Sequence, residues 1–289
     1  MSFIELFLIA VSLAMDAFAV SVSNGLILPN VKKRNAVTFG LYFGLFQFFM
    51  PIIGYFLGNK LTKYVQHLAS TYNTYADVRA FKTSSGDVVN IGGGDYGWVI
   101  SKAKETEQLK QDLAGGAPVE REPIYEQRAK QRTPDDIGNT YVEIDYTKQH
   151  LWFYKDGSLF LESDIVSGNL SADNGSVDGV FKIVYKQKDA TLVGETYRSA
   201  VNYFMPFAYN IGLHDASWQT EFGGERYKTA GSHGCINLPP DIAKTIFENI
   251  ETGTPVIAYY REPATLTNNA AKMSNAYSYV KPDDGTAAQ

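Results

Sequence analysis

Cysteine is nearly absent from this chain: Cys235 is the only one in 289 residues. A single thiol excludes an intramolecular disulfide framework, and with four histidines scattered along the chain it leaves too few ligands for a compact structural zinc site. Such a thiol is either a small buried hydrophobe or a nucleophile, and its neighbours decide which. Basic charge is also scarce. With 26 Lys and Arg against 31 Asp and Glu, the chain has no basic excess for gripping nucleic acid.

Charge is missing most completely near the N-terminus. Residues 1–64 carry only Glu5, Asp16, Lys32, Lys33, Arg34, Lys60 and Lys63, leaving 21 basic and 29 acidic residues for the remainder. From Leu6 to Val31 only Asp16 is charged, and from Asn35 to Asn59 nothing is. Each stretch exceeds the ~20 residues that cross ~30 Å of hydrocarbon, so two transmembrane helices are expected over residues 1–64. Ala17-Phe18-Ala19 resembles a signal-peptide cleavage site, but the preceding Met1–Glu5 carries no positive charge, and the second span anchors the chain in either case. Lys32-Lys33-Arg34 between the spans is the densest membrane-proximal basic cluster, which places that loop in the cytoplasm and the acidic body outside the cell. Lys60 and Lys63 oppose this weakly. An acid inside a span, as Asp16 is, points by default to an ion pathway or a buried pair.

Those residues carry a resemblance. Ser12-Leu13-Ala14-Met15-Asp16-Ala17-Phe18-Ala19 within Phe3–Gly25, together with Phe39–Gln47 and Pro51-Ile52-Ile53-Gly54, are similar to the first two helices of the bacterial manganese efflux pump family. The resemblance implies about six helices in a complete pump and an ion path that uses an acid like Asp16. Two helices cannot enclose such a path alone, so an anchor is the expected role, with a manganese efflux protein bearing an appended wall domain as the alternative.

Beyond the membrane segment, Asp87–Ile91 reads as a strand, Gly92–Gly97 as a hairpin turn and Trp98–Ile100 as the returning strand. Without Gly-Lys-Ser/Thr that glycine run is a weak phosphate-loop signal. Ser101 fits an N-cap for a helix over Lys102–Ala114, stopped by Gly115-Gly116. Residues 70–125 resemble the C-terminal part of a peptidoglycan-binding-like module, truncated at its start, and 126–137 read as a linker. Alternation then sets in at Tyr141–Asp145 and Leu151–Tyr154, with Lys155-Asp156-Gly157 as a turn and Leu159–Val166 as the returning strand. Val180–Tyr185 and Pro255–Tyr260 are further strands. Ile242, Ile246, Phe247 and Ile250 recur at helical spacing before Gly253. The expected architecture is a β-rich α+β domain over 138–261 with one closing helix, followed by a polar mobile tail at 262–289.

Chemistry concentrates in Ile211-Gly212-Leu213-His214-Asp215-Ala216-Ser217-Trp218 and Gly231-Ser232-His233-Gly234-Cys235-Ile236-Asn237. An imidazole beside a thiol can take its proton and leave a thiolate–imidazolium pair, provided another acceptor holds its second nitrogen. His214 is favoured as base over His233, which stands two residues from Cys235 in an extended segment and bridges poorly to its sulfur. Asp215 supplies the acceptor through its carboxylate or its backbone carbonyl. Core packing of Cys235 and zinc binding by His214, His233 and Cys235 are the competing readings. Ser-His-Gly before the thiol suits an exposed turn better than a core. His67 and His150 read as structural or solvated.

The pattern of His, then 17 residues, then Ser-His-Gly-Cys-Ile-Asn resembles the YkuD-type L,D-transpeptidase family at every fixed position. That resemblance implies an L,D-transpeptidase-type β-sandwich with Cys235 as nucleophile, His214 as base and Asp215 as its orienter. It also implies that Ser232, His233, Gly234, Asn237, Trp218 and Tyr203 shape the substrate and oxyanion region. No metal or cofactor is implied. The implied substrates are peptidoglycan tetrapeptide stems, as donor and acceptor of 3→3 crosslinks through a thioester, and the thiol would be a carbapenem target. Ser176-Val177-Asp178-Gly179 departs from the family's usual Thr-Pro-x-Gly, which bears on the geometry of that loop.

Overall fold

The computed structural model describes residues 15, 18–23, 25, 32–194, 197–209 and 211–266. Asp16 and most of the first expected span lie outside the described residues. The second expected span forms α1 (Lys33–Tyr72), a 40-residue helix with Pro51 inside it. At ~1.5 Å per residue it is ~60 Å long, twice the hydrocarbon thickness. Val37–Tyr72 is the one helix among the described residues long and apolar enough to cross a membrane. Phe39, Leu41, Tyr42, Phe46, Phe49 and Phe56 all face outward, the pattern of a helix whose solvent is lipid. Packing groups Met1–Ser70 with Lys102–Arg121 as one unit and Thr71–Ser101 with Glu122–Gln289 as another. In the first unit, α2 (Lys102–Gly115) ends where Gly116 takes φ +68°, and Arg121 pairs with Glu105 (3.0 Å) and Asp112 (2.8 Å).

The second unit contains two larger sheets. In one, the hairpin of β6 (His150–Lys155) and β7 (Ser158–Asp164) joins β5 (Tyr141–Asp145), β13 (Pro255–Tyr259) and β8 (Gly179–Lys182), in the order β7-β6-β5-β13-β8. β13 lies parallel to β5, with Val256 opposite Val142, and antiparallel to β8. In the other sheet, β9 (Gln187–Val193), β10 (Arg198–Ala208), β11 (Ile211–Asp215) and β12 (Ile236–Leu238) follow the order β12-β11-β10-β9. Inward residues from both sheets, including Val142, Phe153, Phe181, Phe207, Leu213 and Val256, form one buried cluster. A short helix α3 (Arg226–Thr229) precedes the Cys235 loop. The closing helix α4 (Pro240–Asn249) adds Ala243 and Ile246 to the cluster, its start favoured by Pro at the first helical position.

Two expectations are corrected by this packing. The glycine run after β2 (Val88–Ile91) does not close a hairpin. β2 pairs with β1 (Arg79–Lys82), while β3 (Val99–Ile100) pairs with β4 (Tyr125–Gln127). Gly94 instead bridges Val180, and the Asp95 and Tyr96 amides donate to Val180 O (3.1 Å each). A Cβ on Gly94 would stand 2.0 Å from that carbonyl oxygen, so the glycine permits backbone to lie against backbone. Phe81, Ile91, Tyr96 and Trp98 accordingly share a core with Val180, Ile257 and Tyr259, and the partition at 126–137 is not where packing divides the chain. The second correction concerns the tail: Ala264 and Leu266 are buried in the main core, while 267–289 lie outside the described residues.

The joint between the β1–β2 hairpin and the five-stranded sheet is also polar. Buried Glu143 accepts from Ser84 N (3.1 Å), Ser84 Oγ and Tyr259 OH (2.7 Å). Burial raises its carboxyl above the usual range, and those hydrogen bonds oppose the rise. Arg261 extends the joint by pairing with both Asp145 and Asp87.

Candidate active site

His214 and Cys235 come together because β11 and β12 run in parallel with Leu213 opposite Ile236 and His214 opposite Asn237. Cys235 is the residue just before β12, so the register sets it beside Gly212 on the face that carries His214 and Asn237. Both reactive groups line a cleft of about 360 Å³ with Ser232, His233, Asn237 and Trp218. Gly234, with φ +119°, turns the chain into the strand, a conformation that L side chains rarely adopt.

The second nitrogen of His214 is held by a backbone group. Its Nδ1 lies 2.9 Å from the carbonyl oxygen of Asp215, so Nδ1 carries the proton and Nε2 is left as the basic nitrogen. The Asp215 carboxylate points elsewhere, accepting from the Tyr203 amide (2.8 Å) and Asn202 Nδ2 (2.9 Å). Of the two acceptors open in the sequence, the carbonyl makes the contact. Burial lowers the His214 pKa, with the Asp215 carbonyl and charge opposing the fall. Burial also pushes the Cys235 thiol up to about 11, against a smaller contribution from the Gly212 backbone. Both shifts favour the neutral forms of the two groups.

The remaining expected residues divide by position. Ser232 Oγ donates to Cys235 O and accepts from Gly234 N (3.0 Å), so the Gly234 amide is directed at Ser232 and not at an incoming oxyanion. Asn237 Nδ2 donates to Gln219 Oε1 (3.0 Å). Trp218 is half exposed, with its ring 6.0 Å from that of His214, and forms a wall of the cleft. His233 stacks on Tyr197 at 4.2 Å between centroids. Tyr203 does not line the cleft: its ring packs on Phe247 (5.2 Å), and its contribution is the amide that holds Asp215. Tyr197, Gln219 and Arg226, which line the cleft, are not apparent in the sequence because no local motif distinguishes them. Among the described residues no group of three His, Cys, Asp or Glu side chains could hold a metal ion.

The loop is fastened from behind by a segment distant in sequence. Val166 and Asn237 exchange backbone hydrogen bonds (3.1 and 2.9 Å), the Ser232 amide donates to Ser167 O (2.9 Å), and the Asn169 amide donates to Ser232 O (2.9 Å). A Cβ on Gly231 would fall 2.6 Å from Ser167 O, so the two backbones touch there. A thiol and an imidazole whose Nδ1 is held by a carbonyl, lining one cleft, form the equipment of acyl transfer.

Comparison with known proteins matches two parts of the chain to two families. Residues 139–257 match the family model described as the L,D-transpeptidase catalytic domain, and residues 30–74 match that of a putative manganese efflux pump. Among solved structures, the Ldtfm–avibactam carbamoyl enzyme is 41% identical with a TM-score of 0.62, covering 70% of this chain and 80% of its own. A Cys-to-Ser mutant of Enterococcus faecium L,D-transpeptidase is 40% identical with a TM-score of 0.62, covering 70% and 82%. The putative manganese efflux pump of Methanobrevibacter smithii is 44% identical over 68 residues, 24% of this chain and 37% of that protein. That of Acetivibrio thermocellus is 51% identical over 65 residues, 22% of this chain and 33% of that protein. The chain thus spans about a third of the length of these pump relatives.

Proposed function

The chain belongs to the L,D-transpeptidase family, and from that premise we propose a membrane-anchored enzyme that forms 3→3 crosslinks between peptidoglycan tetrapeptide stems on the outer face of the membrane. The observation that carries the reading is the hydrogen bond that holds His214: with Nδ1–H given to the Asp215 carbonyl, Nε2 is the nitrogen left to act as base in the cleft that His214 and Cys235 both line. In the first step, His214 Nε2 takes the Cys235 proton as Sγ bonds to the carbonyl carbon of the third stem residue. The bond from that carbon to the terminal D-amino acid breaks, and the leaving amine receives the proton from His214. A side-chain amine of a second stem then attacks the thioester, loses its proton to His214, and releases Cys235 as the thiol. His233, Ser232 and Trp218 border the donor stem, and Asn237 holds the cleft wall through Gln219.

Lys32-Lys33-Arg34 supports the outward placement of the body, and the long apolar α1 supports the anchor. Expressing the full chain and its Cys235→Ala form in cells lacking other L,D-transpeptidases tests the reading. The parent chain restores 3→3 crosslinked muropeptides and Cys235→Ala does not; crosslinks made by Cys235→Ala would overturn the assignment. The relative captured as an avibactam carbamoyl enzyme supports a parallel assay, in which the purified chain gains one carbamoyl adduct at Cys235. The pump resemblance favours a second reading, manganese efflux. It predicts that Asp16→Asn sensitises cells to manganese, whereas the anchor reading predicts unchanged tolerance.

A further inference from the structure

We propose that Arg226 is a substrate-binding residue of the cleft, whose guanidinium recognises a free carboxylate of the donor stem. The proposal rests on the transpeptidase reading and names a charge that its donor must carry. Among the described residues that line the cleft with His214 and Cys235, Arg226 is the only Lys, Arg, Asp or Glu. The surrounding domain has the opposite sign. Residues 65–289 hold 29 acidic and 21 basic side chains, so the body as a whole repels an anionic peptide and the cleft reverses that sign locally.

The fold itself uses little of this guanidinium. Arg226 opens α3 with its side chain 38% exposed, and its Nη1 donates to Glu221 Oε2 (2.5 Å), a carboxylate on a side chain that is 73% exposed. So open an ion pair holds weakly. Nε is buried with no hydrogen-bond partner, and Glu221 is the one side-chain partner of Arg226 among the described residues. A charge placed for stability alone would have more of its N–H donors filled. The anchoring segment is nevertheless tied to the cleft: Gln219 Nε2 donates to Glu221 O (2.9 Å), and Asn237 Nδ2 donates to Gln219 Oε1 (3.0 Å). A carboxylate is the group that a guanidinium with donors to spare binds best. The donor stem has two sources of it, the end of the leaving D-amino acid, one residue beyond the scissile bond, and the carboxylates of the retained stem.

The test uses the full chain in detergent, with Arg226→Gln and Arg226→Lys compared with the parent. Donor tetrapeptides are supplied in three forms: all carboxylates free, the C-terminal one amidated, and those of the retained stem amidated. On the free donor, Arg226→Gln should raise KM by about 10- to 30-fold, the lower range for a hydrogen bond to a charged group, with kcat within about twofold. Arg226→Lys should recover part of that loss, since it keeps the charge without the fork. Amidating the carboxylate that Arg226 reads should weaken the parent by a similar factor and remove the difference between parent and Arg226→Gln, which identifies the terminal or the stem carboxylate as the source. Alkylation of Cys235 by neutral iodoacetamide should stay within about twofold in both variants. A KM unchanged by Arg226→Gln, a rise that persists in full on both amidated donors, or an equal loss in alkylation would overturn the proposal. Should the parent chain itself form no crosslinks while still alkylating, the function assignment fails, a result distinct from failure of the Arg226 role.

Discussion

Replacing Asp215 by Asn separates two ways of holding a catalytic imidazole. If the carboxylate oriented His214, the change would select the wrong tautomer, a defect worth ~10⁴ in kcat in serine proteases built that way. Here Nδ1–H is given to the backbone carbonyl of residue 215, which Asn retains. The Asn Oδ1 can still accept from the Tyr203 amide, but its Nδ2 faces the Nδ2 of Asn202, so one hydrogen bond of about 0.5–1.5 kcal/mol is lost. Loss of the negative charge also withdraws an influence that raises the His214 pKa, making Nε2 a slightly weaker base. Together these predict a fall of about 3- to 10-fold in kcat/KM for Asp215→Asn, with the acid limb of the pH–rate profile displaced to lower pH. The assay is the second-order rate of avibactam carbamoylation followed by intact-protein mass spectrometry from pH 5 to 9. A loss of ~10³ or more in a folded variant would refute the carbonyl as the orienting group.

Three further outcomes follow from buried groups. Arg79 is 2% exposed and binds the carbonyls of Thr74, Asp77 and Asp135 and the carboxylate of Asp136, so Arg79→Ala should cost about 3–5 kcal/mol and lower Tm by about 6–20 °C. Lys at that position should not restore it in thermal melts, since one ammonium cannot span the guanidinium's acceptors. For Cys235, a thiol pushed up to about 11 predicts an iodoacetamide alkylation rate still climbing between pH 9 and 10, where an ordinary thiol has levelled off; a plateau below pH 9 would contradict it. For His214, whose folded pKa is lowered below that of the unfolded chain, the linked stability is full above pH ~6.5 and is lost as pH falls through the folded value. His214→Gln should flatten that part of the stability–pH curve measured by urea unfolding.

Local patterns revealed different amounts in different places. Alternation located β5 and β6 closely, and the apolar spacing of Ile242, Ile246 and Ile250 located α4, because a half-buried element records its own face in its sequence. His214 and Cys235 were legible for a different reason: a thiol needs an imidazole, and few are present. What escaped was partner choice. Glycines at 92–94 read as a turn because local rules assign glycine to turns, whereas Gly94 serves a contact with Val180, 86 positions away. Tyr203 looked like a cleft residue, but only the fold shows its ring on Phe247 and its amide on Asp215. The burial of Ala264 and Leu266 was hidden by the polar residues around them.

The scarcity of cysteine and the burial of the site bear on one another. A thiolate is the form that oxidants and metals attack, and outside the cytoplasm, where the catalytic domain is proposed to work, disulfides persist. A resting thiolate there would be exposed to the sulfenic and sulfinic steps of oxidation, with no second cysteine in the chain to resolve the first. Burial that raises Cys235 and lowers His214 favours the neutral form of both groups before a carbonyl carbon is bound. The cost is a weaker nucleophile in the ground state. The site must then gain its rate from stabilising the charge that develops on the substrate oxygen, which places the demand on the backbone around Gly234 and Cys235. The loop that carries Cys235 is fastened on one side to residues 166–169 and on the other to the buried Ser176 hydroxyl, so its position is fixed before substrate binds.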